Sequence, residues 1–288
     1  MSNDSIKFCG LNEPFSDYGK ARFAVIPVPY EKTTSYGKGT ANGPIAILEA
    51  SRYMELYDEE LDSNTAESGI ATLKPVLSDD SPEALTEKLR SVCAKVLQDK
   101  KFPVVLGGEH SISLGMLLAL KDYYKDVSVL QFDAHADLRD AYQGSKHSHA
   151  CVMRRIREHA PAVQVGIRSF SDDEADNVKK ERKNIFMAAE MHRRDCTQEI
   201  INRLGKNVFI TFDVDAFDPS IMPSTGTPEP GGMGWYDVLD ILRAVSKERN
   251  IVGFDAVELA PNPQTTAPDY TVARLVYRVM GYVNQGIQ

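Results

Sequence analysis

This sequence predicts an α/β fold: a mostly parallel sheet with helices over both of its faces. Three observations carry that prediction. Apolar strand-like runs alternate with amphipathic helical runs along nearly all of the 288 residues, as repeated βαβ crossovers require. The strand runs are almost continuously apolar, so both sheet faces are covered. No Pro/Gly/Ser-rich linker, internal repeat or low-complexity tract divides the chain, so residues 1–288 read as a single domain.

Each element has its own signal. AVIPVPY (24–30) reads as a strand, and GPIAILEASRYMEL (43–56) as a helix with Pro44 in its first turn. SPEALTEKLRSVCAKVLQ (81–98) is a helix in which Ser81 caps, Pro82 takes the first helical position and Glu83 favours the positive end. FPVVLGG (102–108) is a strand and SLGMLLALKDYY (113–124) a helix. The strand VSVLQFD (127–133), the helix ACVMRRIRE (150–158) and the strand AVQVGI (162–167) follow. Next come a helix near 172–182, the weak strand NIFMA, a helix near 197–204 and the strong strand NVFITFD (207–213). WYDVLDILRAVSKE (235–248) is a helix, NIVGFDAVEL (250–259) a strand, and roughly 269–284 the last helix. The acidic stretches 57–68 and 78–82 read as surface loops, and KKERK (179–183) as a solvated helix face.

Composition narrows the function. Hydrophobic residues make up 42% and charged residues 26%, ordinary for a globular protein. A net charge of −8 argues against nucleic acid as the main partner and mildly favours small cations. MSNDSIKFCG lacks a basic segment followed by an apolar one, so no secretory signal is expected. No apolar run approaches the ~20 residues of a membrane span, and a cytoplasmic location is expected. Cys9, Cys93, Cys151 and Cys196 are scattered without a CxxC pair, so reduced thiols are expected rather than a disulfide framework or structural zinc.

The chemistry gathers after the strands. FPVVLGG leads to Glu109 and His110, VSVLQF to Asp133, His135 and Asp137, NVFITF to Asp213 and Asp215, and NIVGFDAV to Glu258. In an open parallel sheet ligands bind outside the carboxyl ends of the strands. Residues two apart on an extended segment point the same way, so Asp133, His135 and Asp137 can converge, as can Asp213 and Asp215. Carboxylates so crowded repel unless a cation sits between them. Two imidazoles and four aspartates suit Mn²⁺ or Mg²⁺ better than a metal selected by thiolates. Six ligands exceed one small site unless carboxylates bridge, and a pair of divalent ions uses them all.

GGEHSIS, FDAHAD and the long FDVDAFDPSIMPSTGTPEPGG resemble the three signature segments of the ureohydrolase family of arginases, agmatinases and formiminoglutamases. The resemblance runs from about Ala24 to Val283. It implies a three-layer αβα domain, about eight strands in its central sheet, and two Mn²⁺ ions. It places one ion on His110, Asp133, Asp137 and Asp213, and the other on His135, Asp133, Asp213 and Asp215, with Asp133 and Asp213 bridging. It implies that His149, Asp137 and Glu258 are catalytic, His149 as a proton shuttle and Glu258 as the carboxylate that grips the substrate guanidinium. His147, two residues from His149, is the competing shuttle. The implied chemistry is sound: a delocalised guanidinium carbon is a poor electrophile, and water held between two dications becomes a strong nucleophile near neutral pH.

Departures from the family pattern bear on the substrate. Ala136 stands where arginases commonly have Thr, and LRDAYQGSKHSHA lacks the Asn/Ser pattern that grips an α-carboxylate and α-amine. SHACVMRR is similar to agmatinases, so agmatine, giving putrescine and urea in polyamine biosynthesis, is the leading expectation. Guanidinobutyrate, guanidine and a formiminoglutamase-like reaction stay open. A two-metal phosphoesterase needs basic residues near the site, and only Arg139 stands beside these motifs. A metal-binding scaffold without turnover is the remaining alternative. The resemblance implies a homotrimer or homohexamer with contacts near the C-terminal helix. Other groups read as structural: GKGTANG (37–43) as a mobile loop at the site mouth without the spacing of a phosphate loop, His159 and His192 as surface residues, and Cys151 as a small buried hydrophobe.

Overall fold

A computed structural model describes residues 6–78 and 80–286. The N-terminal residues 1–5 of the segment read for a secretory signal, and residue 79 of the loop at 78–82, lie outside the described residues.

In chain order the strands are β1 (Phe23–Val28), β2 (Tyr57–Asp58), β3 (Ser63–Asn64), β4 (Ile70–Thr72), β5 (Phe102–Gly107), β6 (Val127–Phe132), β7 (Ala162–Ile167), β8 (Ile185–Met187), β9 (Asn207–Asp213) and β10 (Asn250–Val257). The helices are α1 (Gly43–Ser51), α2 (Pro82–Gln98), α3 (Ser113–Tyr123), α4 (Val152–Arg157), α5 (Asp172–Lys180), α6 (Ala188–Met191), α7 (Thr197–Arg203), α8 (Trp235–Glu248) and α9 (Ala267–Gln285). Eight strands form one sheet in the order β4-β1-β5-β10-β9-β6-β7-β8. Every pairing in it is parallel.

The pleat divides each strand between two cores. Val104 and Leu106 of β5 pack on one face with α1, α7, α8 and α9, while Val105 packs on the other with α2, α3 and α4. The result is three layers, helices–sheet–helices. Ser81 caps α2 as expected, its hydroxyl accepting from Ala84 N at 3.4 Å. Two expectations need correction. α1 stops at Ser51 rather than at 56, because beyond it the backbone tightens into three-residue turns, with Arg52 N donating to Glu49 O (3.2 Å) and Tyr53 N to Ala50 O (3.1 Å). The loop expected at 57–68 contains the β2–β3 hairpin, and the edge strand β4 follows it. Both are too short to show a period. The hairpin is tied to α9 by Arg278, whose Nε lies 2.8 Å from Asp58 Oδ2.

The sheet order positions the site. β5, β10, β9 and β6 are consecutive neighbours at the centre, and all run the same way. The four strands whose ends carry the acids and imidazoles therefore finish side by side.

Candidate metal centre and active-site cavity

His110, Asp133, His135, Asp137, Asp213 and Asp215 meet at this sheet end. His110 Nδ1 lies 3.1 Å from Asp133 Oδ2, 3.2 Å from Asp137 Oδ2 and 3.3 Å from Asp213 Oδ2. His135 Nδ1 lies 2.9 Å from Asp215 Oδ2 and 3.6 Å from Asp133 Oδ1. Asp133 thus gives one oxygen to each imidazole, the disposition of a bridge. Two groups of ligand atoms, His110–Asp133–Asp213 and Asp133–His135–Asp215, each fall within 4.8 Å of one another.

The convergence has a different local cause from simple alternation. β6 ends at Phe132, and Asp137 reaches the cluster with φ of 52°, a left-handed conformation costly for a side chain other than glycine. Asp213 and Asp215 come together because residues 214–216 form a 3₁₀ turn, in which Asp213 Oδ1 accepts from Asp215 N at 2.9 Å. The carboxylates are fixed from behind. Asp133 accepts from Gln131 Nε2 (2.6 Å) and from His135 N (2.6 Å), and Asp215 accepts from Ala134 N (2.9 Å).

The donors fit a cation. His110 Nδ1 is buried and takes no hydrogen bond, although three carboxylate oxygens surround it. Its Nε2 sits 3.0 Å from Thr211 Oγ1, which can hold the proton on that side and leave the Nδ1 lone pair facing the carboxylates. The electrostatics agree. Burial, and then the neighbouring Asp133, push Asp137 up to about 7. Burial followed by Asp215 and Asp133 holds Asp213 well above the usual carboxylate range. Burial opposes a charged His135, but Asp215 and Asp133 outweigh it and drive the ring up to about 12. A cluster that makes carboxylic acids and imidazoles hold protons to balance charge is one that a divalent ion relieves. Oxygen-rich ligation with one imidazole per group suits Mn²⁺ or Mg²⁺.

Above the cluster opens a cavity of about 340 Å³. His135, Asp137, Asp213, Asp215 and Glu258 line its floor, while Thr34–Gly37, Tyr142, His149, Ser169–Ser171, Thr225–Thr227 and Glu229 line the walls. Glu258 follows β10 with φ of 65° and accepts from His110 N through Oε1 at 2.6 Å. Burial, and next the nearby Glu109, raise its carboxyl well above the usual range. His149 stands on the wall, with burial depressing it to about 4. His147 turns away, its Nε2 3.9 Å from Glu83, and does not line the cavity. His159 and His192 are exposed and Cys151 is fully buried, as expected.

Residues 37–43, expected as a loop at the site mouth, and the preceding residues 31–36 are hydrogen-bonded to two carboxylates. Glu31 accepts from Gly39 N (2.8 Å) and Ala41 N (3.1 Å), and Glu109 accepts from Lys32 N and Thr33 N. The amides that a phosphate would need are taken by a carboxylate. Gly37 packs so tightly on the strand-following segment that an added Cβ would lie 2.7 Å from Gly226 O. Sequence reasoning did not assign roles to Glu109, Thr33, Ser35, Tyr142 or Glu229. Only Glu109, a lone acid after an apolar strand and one residue from His110, carried a usable signal.

A family model described as the arginase family matches residues 21–281. The N(1)-aminopropylagmatine ureohydrolase of Synechocystis sp. is 40% identical over 281 residues, covering 94% of this chain and 92% of its own. The agmatinase of Pyrococcus horikoshii is 33% identical over 273 residues, covering 93% of this chain and 94% of its own. Among solved structures, the agmatine ureohydrolase of Thermoplasma volcanium superposes with a TM-score of 0.88 at 30% identity, covering 98% of this chain and 95% of that one.

Proposed function

Because this chain belongs to the arginase family, hydrolases of guanidino compounds, we propose that it hydrolyses a guanidino compound with a cationic tail to urea and an amine at a two-metal centre. The carrying observation is Asp133, which offers one oxygen to each of two carboxylate–imidazole groups beneath a cavity lined by Glu258 and His149. His110, Asp133, Asp137 and Asp213 would hold one Mn²⁺, and His135, Asp133, Asp213 and Asp215 the other. When bound, such a pair lowers the pKa of water towards neutrality and so supplies a nucleophile.

The chain's own groups do the rest. Glu258 receives the guanidinium by fork-like hydrogen bonds, and its position beside the metal ligands sets the carbon over them. Its charge is masked by burial until a cation arrives, which favours binding of the cationic head. His149, neutral near pH 7, takes the proton that water gives up as its oxygen bonds to the guanidinium carbon, and delivers it to the departing amine nitrogen as the C–N bond breaks and urea forms.

The tail reading rests on charge. The mouth presents the Glu229 carboxylate and the exposed rings of Tyr36 and Phe170, a setting for an ammonium group. Arg139, the one Lys or Arg on the cavity wall among the described residues, lies 4.8 Å above the Tyr142 ring and 3.7 Å from Glu174. That disfavours acid-tailed substrates and a phosphate ester alike. Agmatine satisfies the tail requirement. The higher identity to a relative named for N(1)-aminopropylagmatine favours that longer diamine-tailed compound first. Urea release with Mn²⁺ should be measured for N(1)-aminopropylagmatine, agmatine, arginine, guanidinobutyrate and guanidine. The amine-tailed compounds should exceed the acid-tailed ones in kcat/KM by more than ~100-fold, the cost of leaving a buried charge unpaired. Preference for arginine or guanidinobutyrate, or no urea from any of them, sinks the reading.

A further inference from the structure

We infer that Glu109, acting through Thr33, fixes the proton of His149 on Nδ1, so that Nε2 presents its lone pair on the cavity side. The inference rests on the proposed acid–base role of His149 and adds two positioning residues to it.

Hydrogens and lone pairs around Glu109 and Thr33 leave one assignment. Glu109 is fully buried at the end of β5. Its Oε2 accepts from Lys32 N (2.6 Å) and Thr33 N (2.7 Å), and its Oε1 accepts from Thr33 Oγ1 (2.7 Å) and Ser111 Oγ (2.6 Å). Four donors match the lone pairs of an ionised carboxylate. Thr33 has one hydroxyl proton, and it is committed to Glu109. Two lone pairs remain on Thr33 Oγ1. One accepts from His149 N at 2.9 Å, and the other faces His149 Nδ1 at 3.2 Å. A lone pair on Nδ1 would oppose it, so Nδ1 carries the hydrogen.

The opposite arrangement is costly. If Thr33 turned its proton to Nδ1, its oxygen would face a Glu109 carboxylate oxygen at 2.7 Å with no hydrogen between them. Ser148 Oγ, also 3.2 Å from Nδ1, has a rotatable hydrogen of its own and can turn a lone pair to the same N–H. The ring is steadied by Tyr142, edge-on with centroids 5.9 Å apart. Nε2 lies 3.4 Å from Ser35 Oγ, a residue of the cavity wall. A carboxylate and a hydroxyl behind one ring nitrogen thus aim the other at the reacting proton. The same carboxylate pins residues 32–33, so the loop that walls the cavity and the tautomer of His149 depend on one buried group.

Nitrogen-15 NMR of the histidine side chains tests this on the full chain, with Mg²⁺ in place of paramagnetic Mn²⁺ and His149→Asn identifying the resonance. The wild type should show His149 protonated at Nδ1. Thr33→Val, which keeps the shape and removes the hydroxyl, should shift the ring towards the Nε2-protonated form, and Thr33→Ser should restore it. With Mn²⁺, Thr33→Val should lower kcat by ~10–100-fold, as loss of an orienting partner does, with KM changed less than ~2-fold. Thr33→Ser should recover most of that loss. A wild-type His149 protonated at Nε2, or a tautomer indifferent to Thr33→Val, overturns the inference. Full turnover by His149→Asn instead overturns the acid–base reading itself, and the NMR result separates the two failures.

Discussion

Asp133 is shared by the two carboxylate–imidazole groups of the site. It is fully buried, and its two oxygens face different imidazoles. An amide keeps the shape but loses the charge, and can offer an oxygen to only one side. Asp133→Asn should therefore lose both metal ions together, measured by elemental analysis after dialysis. Retention of two ions per chain would remove Asp133 as a bridge. His149 gives a second residue-scale expectation. Burial depresses its pKa from 6.5 to about 4. Between those values the unfolded chain binds a proton that the folded chain refuses, so stability is fullest above about pH 6.5 and falls as the pH drops towards 4. The fall from pH 7 to 4.5 attributable to this ring is about 2–3 kcal/mol. Denaturant midpoints should show His149→Asn losing that much less than the wild type, and equal losses would deny the depressed pKa.

At the scale of elements, what matters is how strands end. Gly108 leaves β5 under the turn after β1, and a Cβ there would lie 1.9 Å from Tyr30 O. The obstacle is backbone, which cannot swing aside as a flexible side chain can. Gly108→Ala should destabilise the protein by more than ~3 kcal/mol by forcing the two strand ends apart, and an unchanged denaturation midpoint would contradict the close approach. The neighbouring ends use strain rather than close approach. Asp137 and Glu258 both adopt positive φ, at roughly 1–3 kcal/mol each, to bring carboxylates over the sheet edge. The helices behind them, joined through two continuous apolar cores, hold those strand ends in place.

The molecule as a whole places its acids unevenly. Four aspartates and Glu258 converge at one edge of an eight-stranded sheet, in a protein of net charge −8. Their mutual repulsion opposes folding unless a cation offsets it. Chelation should lower the melting temperature by ~5–10 °C, the shift expected when a ligand at ~100 times its Kd is removed from a protein of this size. Mn²⁺ should restore it. Identical melting with and without chelator would mean that the cluster balances its own charge. Among the described residues no helix is long and apolar enough to cross a membrane.

The sequence by itself determined the parallel sheet and most of its strands, and it singled out the six residues that meet at one end of that sheet. Apolar runs report burial locally, and acids that directly follow several buried strands have few structural reasons to be there. It also separated His149 from His147, though only through the pattern of a family segment. Tertiary structure decided the rest. β5, β10, β9 and β6 are neighbours only because crossovers reorder them, which no local period records. The left-handed turns at Asp137 and Glu258, and the grip of Glu109 on Thr33, arise where segments distant in sequence meet. A hydrogen bond across 76 positions leaves no trace in the spacing of either partner, because the geometry that makes it belongs to the packed sheet rather than to either stretch of chain.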